Sequence, residues 1–178
     1  MKILYDPKLI FDLSNANLFF DTNTFLGALR YEKIFGDLFK KLKVQKCTFL
    51  TIPSVSFEFT RGSNSITSFN ERVKFIQDYT DAIIPIERYV DKLETLIIVL
   101  QRIAGTIHYT DFLLCACLYR FPRSFLITEN HKDIPTEIFD RKYVITIDTN
   151  EQLRNYGIYK FSKDKYNKAA GNILKTKK

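Results

Sequence analysis

Five side chains in this sequence could do chemistry together: Asp21, Glu58, Asp111, Asn130 and Asp133. Each lies near the end of an otherwise apolar stretch. Asp21 closes Leu18-Phe19-Phe20, and Glu58 follows the run 47–52 by about one helical turn. Asp111 opens Phe112-Leu113-Leu114-Cys115-Ala116-Cys117-Leu118, and Asn130 and Asp133 follow Ser124-Phe125-Leu126-Ile127-Thr128. Singly, each has a plain explanation: Asp21 caps a helix, Asp111 favours the positive end of its own helix, and Glu58 lies on a surface. Together they suggest carboxylates converging at one edge of a sheet, where ligands of open α/β sheets bind. Two like charges ~4 Å apart repel by ~4 kcal/mol at an effective dielectric near 20. Such a cluster needs raised pKa values or a bound cation. A donor set made of oxygen alone selects a hard ion, Mg²⁺ or Mn²⁺.

The elements that must position these groups alternate along the chain. Residues 17–21 read as a strand, apolar enough to be covered on both faces. Asp21, Thr22 and Asn23 are cap residue types, so a helix follows at once. Residues 24–42 carry Phe25, Leu26, Leu29, Ile34, Phe35, Leu38, Phe39 and Leu42 at helical spacing. Gly27 and Gly36 leave open whether this is one helix or two. A second strand spans 47–52, and Pro53-Ser54 then starts a short helix, since Pro is tolerated in a first turn. A helix near 67–80 and a short strand over 82–85 come next, with Pro85 placing that strand's end or an edge. An amphipathic helix over 88–104 closes near Gly105. The helix opened by Asp111 is apolar nearly all round, hence buried, and Pro122 stops it. Strands over 124–128 and 143–147 complete the series, the latter as the last. Strands separated by helices predict an α/β fold with a parallel sheet and right-handed crossovers. Residues 1–16 read as a lead-in with a short helix through Leu9, Ile10 and Leu13, residues 17–148 as the domain, and 149–178 as a basic extension.

Composition narrows the class. The 178 residues are 46% hydrophobic with six Gly and five Pro, which fits one globular domain and excludes fibrous or disordered chains. No apolar run approaches the ~20 residues of a membrane helix. The start, Met1-Lys2-Ile3-Leu4-Tyr5-Asp6-Pro7, has too short an apolar stretch and too early an acid for a secretory signal. Three cysteines without a paired framework point to a reducing, cytoplasmic setting. With two histidines and no CxxC, no zinc site is read. Of the net charge of +7, six units fall in residues 151–178, interleaved with Tyr156, Tyr159, Phe161 and Tyr166. That stripe is compatible with phosphate contacts and base stacking, and equally with a solvated tail.

In four places, in order, the sequence resembles the PIN-domain nucleases, which include the toxin ribonucleases of bacterial toxin–antitoxin pairs. The matching pieces are Phe20-Asp21-Thr22-Asn23, Ile52-Pro53-Ser54-Val55 with Glu58-Phe59, Ile107-His108-Tyr109-Thr110-Asp111 with its apolar helix, and Leu126 to Ile134. The resemblance covers about residues 17–148. It implies a three-layer α/β/α domain with a central, mostly parallel sheet of four to five strands. It also implies hydrolysis of phosphodiester bonds in single-stranded RNA, less often DNA, with Mg²⁺ or Mn²⁺. Carried over residue by residue, Asp21, Glu58 and Asp111 become metal ligands, and Asp133 matches the acid that follows a position held by Asp or Asn in the family. That position is Asn130 here, which brings a carbonyl but no charge. Single-stranded RNA is the implied partner, an antitoxin protein or a second copy of the chain is compatible with the family, and no membrane is implied.

A phosphodiester is anionic, so the acids alone would repel it, and a bound divalent ion reverses the sign. His108 and His131 then read as structural or as phosphate neighbours. Thr22, Asn23, Ser54 and Thr128 read as groups that orient the ligands. Two other classes compete. One is a PIN-like module that holds RNA without cutting it. The other is a phosphatase of the haloacid-dehalogenase type, which also starts strand-then-Asp but carries a second Asp two residues on, where this chain has Asn23.

Overall fold

In the computed structural model, residues 2–103, 107–149 and 152–175 are described. A sheet in the order β1-β6-β7-β5-β2-β3-β4 organises them. The strands are β1 (Lys2–Leu4), β2 (Asn17–Phe20), β3 (Thr48–Thr51), β4 (Ala82–Ile83), β5 (Ser124–Thr128), β6 (Phe139–Asp148) and β7 (Leu153–Phe161). One half is parallel, with β2 between β5 and β3, and β4 outside β3. The other half, β1, β6 and β7, is antiparallel.

The helices are α1 (Lys8–Asp12), α2 (Thr22–Arg30), α3 (Glu32–Val44), α4 (Pro53–Arg61), α5 (Ile66–Tyr79), α6 (Val90–Ile103), α7 (Tyr109–Arg120) and α8 (Lys163–Lys175). They enclose the sheet in the expected three-layer α/β/α manner. Helix α2 packs on α3 and α4, and α4 on α5; α7 packs on α6, and α6 on α8. The stretch 24–42 is two helices, and the break falls at Tyr31 (φ −120°, ψ 42°), not at either glycine. Gly27 has a different reason to be glycine, because a Cβ there would run into the Tyr156 hydroxyl. The proposed closure of α6 near Gly105 lies outside the described residues.

Three differences from the sequence reading matter. The sheet has seven strands instead of four or five, and β6 is not the last. The segment set apart as a basic extension supplies β7, which lies between β5 and β6 at the middle of the sheet. Tyr156, Ile158 and Tyr159 of β7 are buried. Arg154 and Lys160 at its ends, and Gly157 within it, hid this short apolar centre from a reading by charge. The lead-in is likewise part of the sheet: Lys2–Leu4 pairs with Thr146–Asp148.

The two ends of the parallel half differ. At the amino ends of β2, β3 and β5, Asn15, Lys46 and Arg123 take positive φ (55°, 59° and 53°) and turn the chain into each strand. Backbone hydrogen bonds from Asn15 to Gln45 (2.8 Å), Thr48 to Ala16 (2.9 Å) and Asn17 to Arg123 (3.0 Å) tie these turns together. At the carboxyl ends, Phe20 is locked by Phe39 and Phe49, each with ring centroids 5.2 Å away. The residue after it, Asp21, therefore has a fixed place at the open edge.

Candidate functional site

Asp21 joins β2 to α2, and its side chain caps that helix: Oδ1 accepts the Thr24 N–H at 2.7 Å. Phe20 is in register with Ile127 of β5. The next residue of β5, Thr128, thus reaches Asp21 and donates its hydroxyl to Oδ2. The Thr24 hydroxyl in turn donates to the Ile127 carbonyl at 2.6 Å, which fixes α2 to β5. Asp21 is 4% exposed. Burial pushes its carboxyl above the ordinary carboxylate range, against the hydrogen bonds from Thr128 and Thr24, which favour the ionised form.

Glu58 comes from the middle of α4. Its two oxygens are held by two hydroxyls, Thr22 at 2.8 Å from the first turn of α2 and Thr110 from the first turn of α7. Asp111, next to Thr110, is buried on α7. Its pKa is pushed up to about 7, first by burial, then by the negative charges of Asp21, Asp133 and Glu58, and by a hydrogen bond shared with Asp133. Asn130 follows β5; its N–H bonds the Thr128 hydroxyl at 2.9 Å and its amide donates to Asp133.

Asp21, Glu58, Asp111 and Asn130 line one cavity of about 280 Å³ at the carboxyl edge of the parallel strands. Asp133 stands behind Asn130 and Asp111 instead of lining it. Thr22, Asn23, Arg61, His108 and Thr110 complete the walls. Two of these were missed by sequence reasoning. Thr110 adjoins Asp111, and Arg61 is three residues from Glu58 on α4, the spacing of one helix face; that spacing is the signal that could have found it. Ser54 and His131 are not among the lining residues. His131 bridges to β7, with Nε2 donating to the Asn155 carbonyl (3.0 Å), which leaves Nδ1 to accept from the Tyr159 hydroxyl (2.9 Å).

Side-chain oxygens of Asp21, Glu58, Asp111 and Asn130 face the cavity, with Arg61 the one arginine among the described residues of its wall. That chemistry suits a hard divalent ion. As placed, however, no three His, Cys, Asp or Glu side chains among the described residues form a group able to hold one ion. The carboxylates of Asp21 and Glu58 are held by hydroxyls instead.

Among the described residues, no helix is long and apolar enough to cross a membrane. No family model matches the chain, and neither a curated protein nor a solved structure matches it.

Proposed function

We propose that this chain is a metal-dependent nuclease of the PIN type that hydrolyses phosphodiester bonds in single-stranded RNA. The observation that carries the reading is the convergence of Asp21, Glu58 and Asp111, from three separate elements, on one cavity at the carboxyl edge of the sheet. Asp133 joins them through its hydrogen bond to Asp111. Nothing in the packing of an apolar core requires these acids together, and ionised side by side they destabilise the fold.

Asp21, Glu58 and Asp111 would hold Mg²⁺ or Mn²⁺, with Asn130 contributing its amide carbonyl and Asp133, which accepts from the Asn130 amide, orienting that carbonyl from behind. The ion, when bound, supplies Lewis acidity toward a phosphoryl oxygen and lowers the pKa of an attacking water. The chain's own groups then have distinct tasks. Thr24 and Thr128 fix the orientation of Asp21, and Thr22 and Thr110 that of Glu58, so both carboxylates are pre-positioned by neighbours. Burial and the neighbouring acids push the Asp111 pKa up to about 7, so ion binding there would compete with a proton. Arg61 offers the cavity wall a permanent positive charge for a phosphate oxygen.

One observation favours a second reading, a PIN-like module that holds RNA without cleaving it: no three acids stand as a ready-made ion site among the described residues. The test is whether the purified chain cuts end-labelled single-stranded RNA in Mg²⁺ or Mn²⁺ and stops when EDTA is added.

A further inference from the structure

Beside the acidic cavity lies a second one of opposite charge. Its walls include Arg30 at the end of α2, Arg72 of α5 and Arg154 of β7, with Glu129, Leu26 and Asn23. Its volume is about 470 Å³. Asn23 lines both cavities, so they adjoin at the start of α2.

The charges are not balanced. Glu129 pairs with Arg154 at 3.1 Å and neutralises that guanidinium. Neither Arg30 nor Arg72 takes part in an ion pair among the described residues. Arg72 is half-buried and held in place: one of its terminal nitrogens donates to the Phe59 carbonyl at 2.5 Å, and the guanidinium lies 5.3 Å from the Phe59 ring centroid. Its Nε is buried without a hydrogen-bond partner. A guanidinium fixed by a neutral carbonyl keeps its charge for a ligand, and Arg binds phosphate through paired N–H donors. Arg30 is exposed at the rim and can close on the same ligand.

We infer that this second cavity is a phosphate subsite that seats the backbone of a single-stranded RNA next to the phosphate lying over the acidic cavity. The inference rests on the nuclease reading for the position of the neighbouring phosphate. The chemistry favours a strand over a free phosphate ion, because the two cavities are contiguous, and the apolar side chain of Leu26 gives the sugar or base a surface beside the arginines.

The test uses the full chain and a fluorescein-labelled single-stranded RNA, with affinity read by anisotropy in EDTA at several KCl concentrations. Arg30→Gln should weaken binding by roughly threefold to tenfold, and should lower the slope of log K against log salt by about 0.7, the value for one phosphate contact on a single strand. Arg30→Glu should weaken it further. Lys46→Gln removes the same charge at the opposite, amino edge of the sheet and should leave both nearly at parent values. Inorganic phosphate at millimolar concentration should compete weakly. Equal losses in Arg30→Gln and Lys46→Gln, parent affinity and slope in both Arg30 variants, or no binding by the parent, would each overturn the subsite. Competition by free phosphate as strong as by unlabelled RNA would overturn the strand as occupant. Cleavage in Mg²⁺ is read in parallel. A parent that binds through Arg30 yet never cleaves leaves the subsite standing and overturns the nuclease reading. A parent that cleaves while both Arg30 variants bind unchanged overturns the subsite alone.

Discussion

Thr128 donates its hydroxyl to Asp21 across the junction of two parallel strands, one step beyond the register pair Phe20 and Ile127. The same hydroxyl accepts the Asn130 N–H. One side chain therefore connects the start of α2 to the loop that carries Asn130 and Asp133. Thr128→Val keeps the shape and removes both bonds. It should destabilise the protein by about 1–3 kcal/mol, the range for stranding buried polar groups. It should also raise the Asp21 pKa further and lower RNA cleavage. Urea unfolding at pH 8 checks the first, and cleavage against pH the second, where the rising limb should move to higher pH.

Asp111 makes the metal-free protein pH-sensitive in a stated direction. Its folded pKa of about 7 stands above the ordinary 3.8. Between those values the folded state binds more protons at this group than the unfolded one, so the contribution of Asp111 to stability is fully present below about pH 4 and is lost as pH rises through 7. Asp111→Asn should flatten this dependence and stabilise the metal-free protein near pH 8 by on the order of 2–4 kcal/mol. Divalent binding to the parent should tighten as pH rises through 7 and release a proton. Melting curves in EDTA from pH 5 to 8 measure the first effect, and calorimetry in two buffers of different ionisation enthalpy the second.

The place of β7 sets the outcome of truncation. Ending the chain after Asp148 removes Tyr156, Ile158 and Tyr159 from between β5 and β6, and the product should show no cooperative unfolding. Ending it after Ser162 removes only α8, whose Tyr166 packs on Tyr119 and Phe161 with ring centroids at 5.1 Å and 5.6 Å. That product should fold with a loss of about 1–3 kcal/mol, the scale of one large side chain's burial. Circular dichroism melts of the two truncations distinguish these results.

Gly27→Ala should cost about 1–3 kcal/mol through overpacking against the Tyr156 hydroxyl. Adding Tyr156→Phe, which removes the atom nearest the new methyl, should recover part of that loss. Additive losses in denaturant titrations of the single and double variants would show that the two positions do not touch.

How much was legible in the sequence follows from which residues carry local signals. The apolar runs at 18–20 and 124–128, and the cap residues after the first, placed Asp21 and the loop at Asn130 on the correct edge. The nearly all-apolar pattern of α7 has no polar face and so predicts the burial that the helix shows. Strand β7 carries little local signal, because Arg154 and Lys160 dominate a charge count while only its middle is buried. The hydroxyls that hold Glu58 were beyond reach for a different reason. Thr22 and Thr110 lie 36 and 52 residues from Glu58 in the chain and meet it only through tertiary packing. The arginine cavity is the same kind of feature, with Arg30, Arg72 and Arg154 drawn from three distant elements.

The central claim is that the acidic cavity cuts RNA with a divalent ion, and the most direct measurement compares the parent with Asp21→Asn on end-labelled single-stranded RNA. Both are assayed in Mg²⁺, in Mn²⁺ and in EDTA, after their melting curves in EDTA confirm that both are folded. The account predicts cleavage by the parent in at least one of the two ions, none in EDTA, and a rate reduced by more than ~100-fold in Asp21→Asn, beyond the loss typical of a group that merely supports a ligand. Cleavage that persists in EDTA, cleavage by Asp21→Asn at the parent rate, or no cleavage by a folded parent in either ion would contradict it.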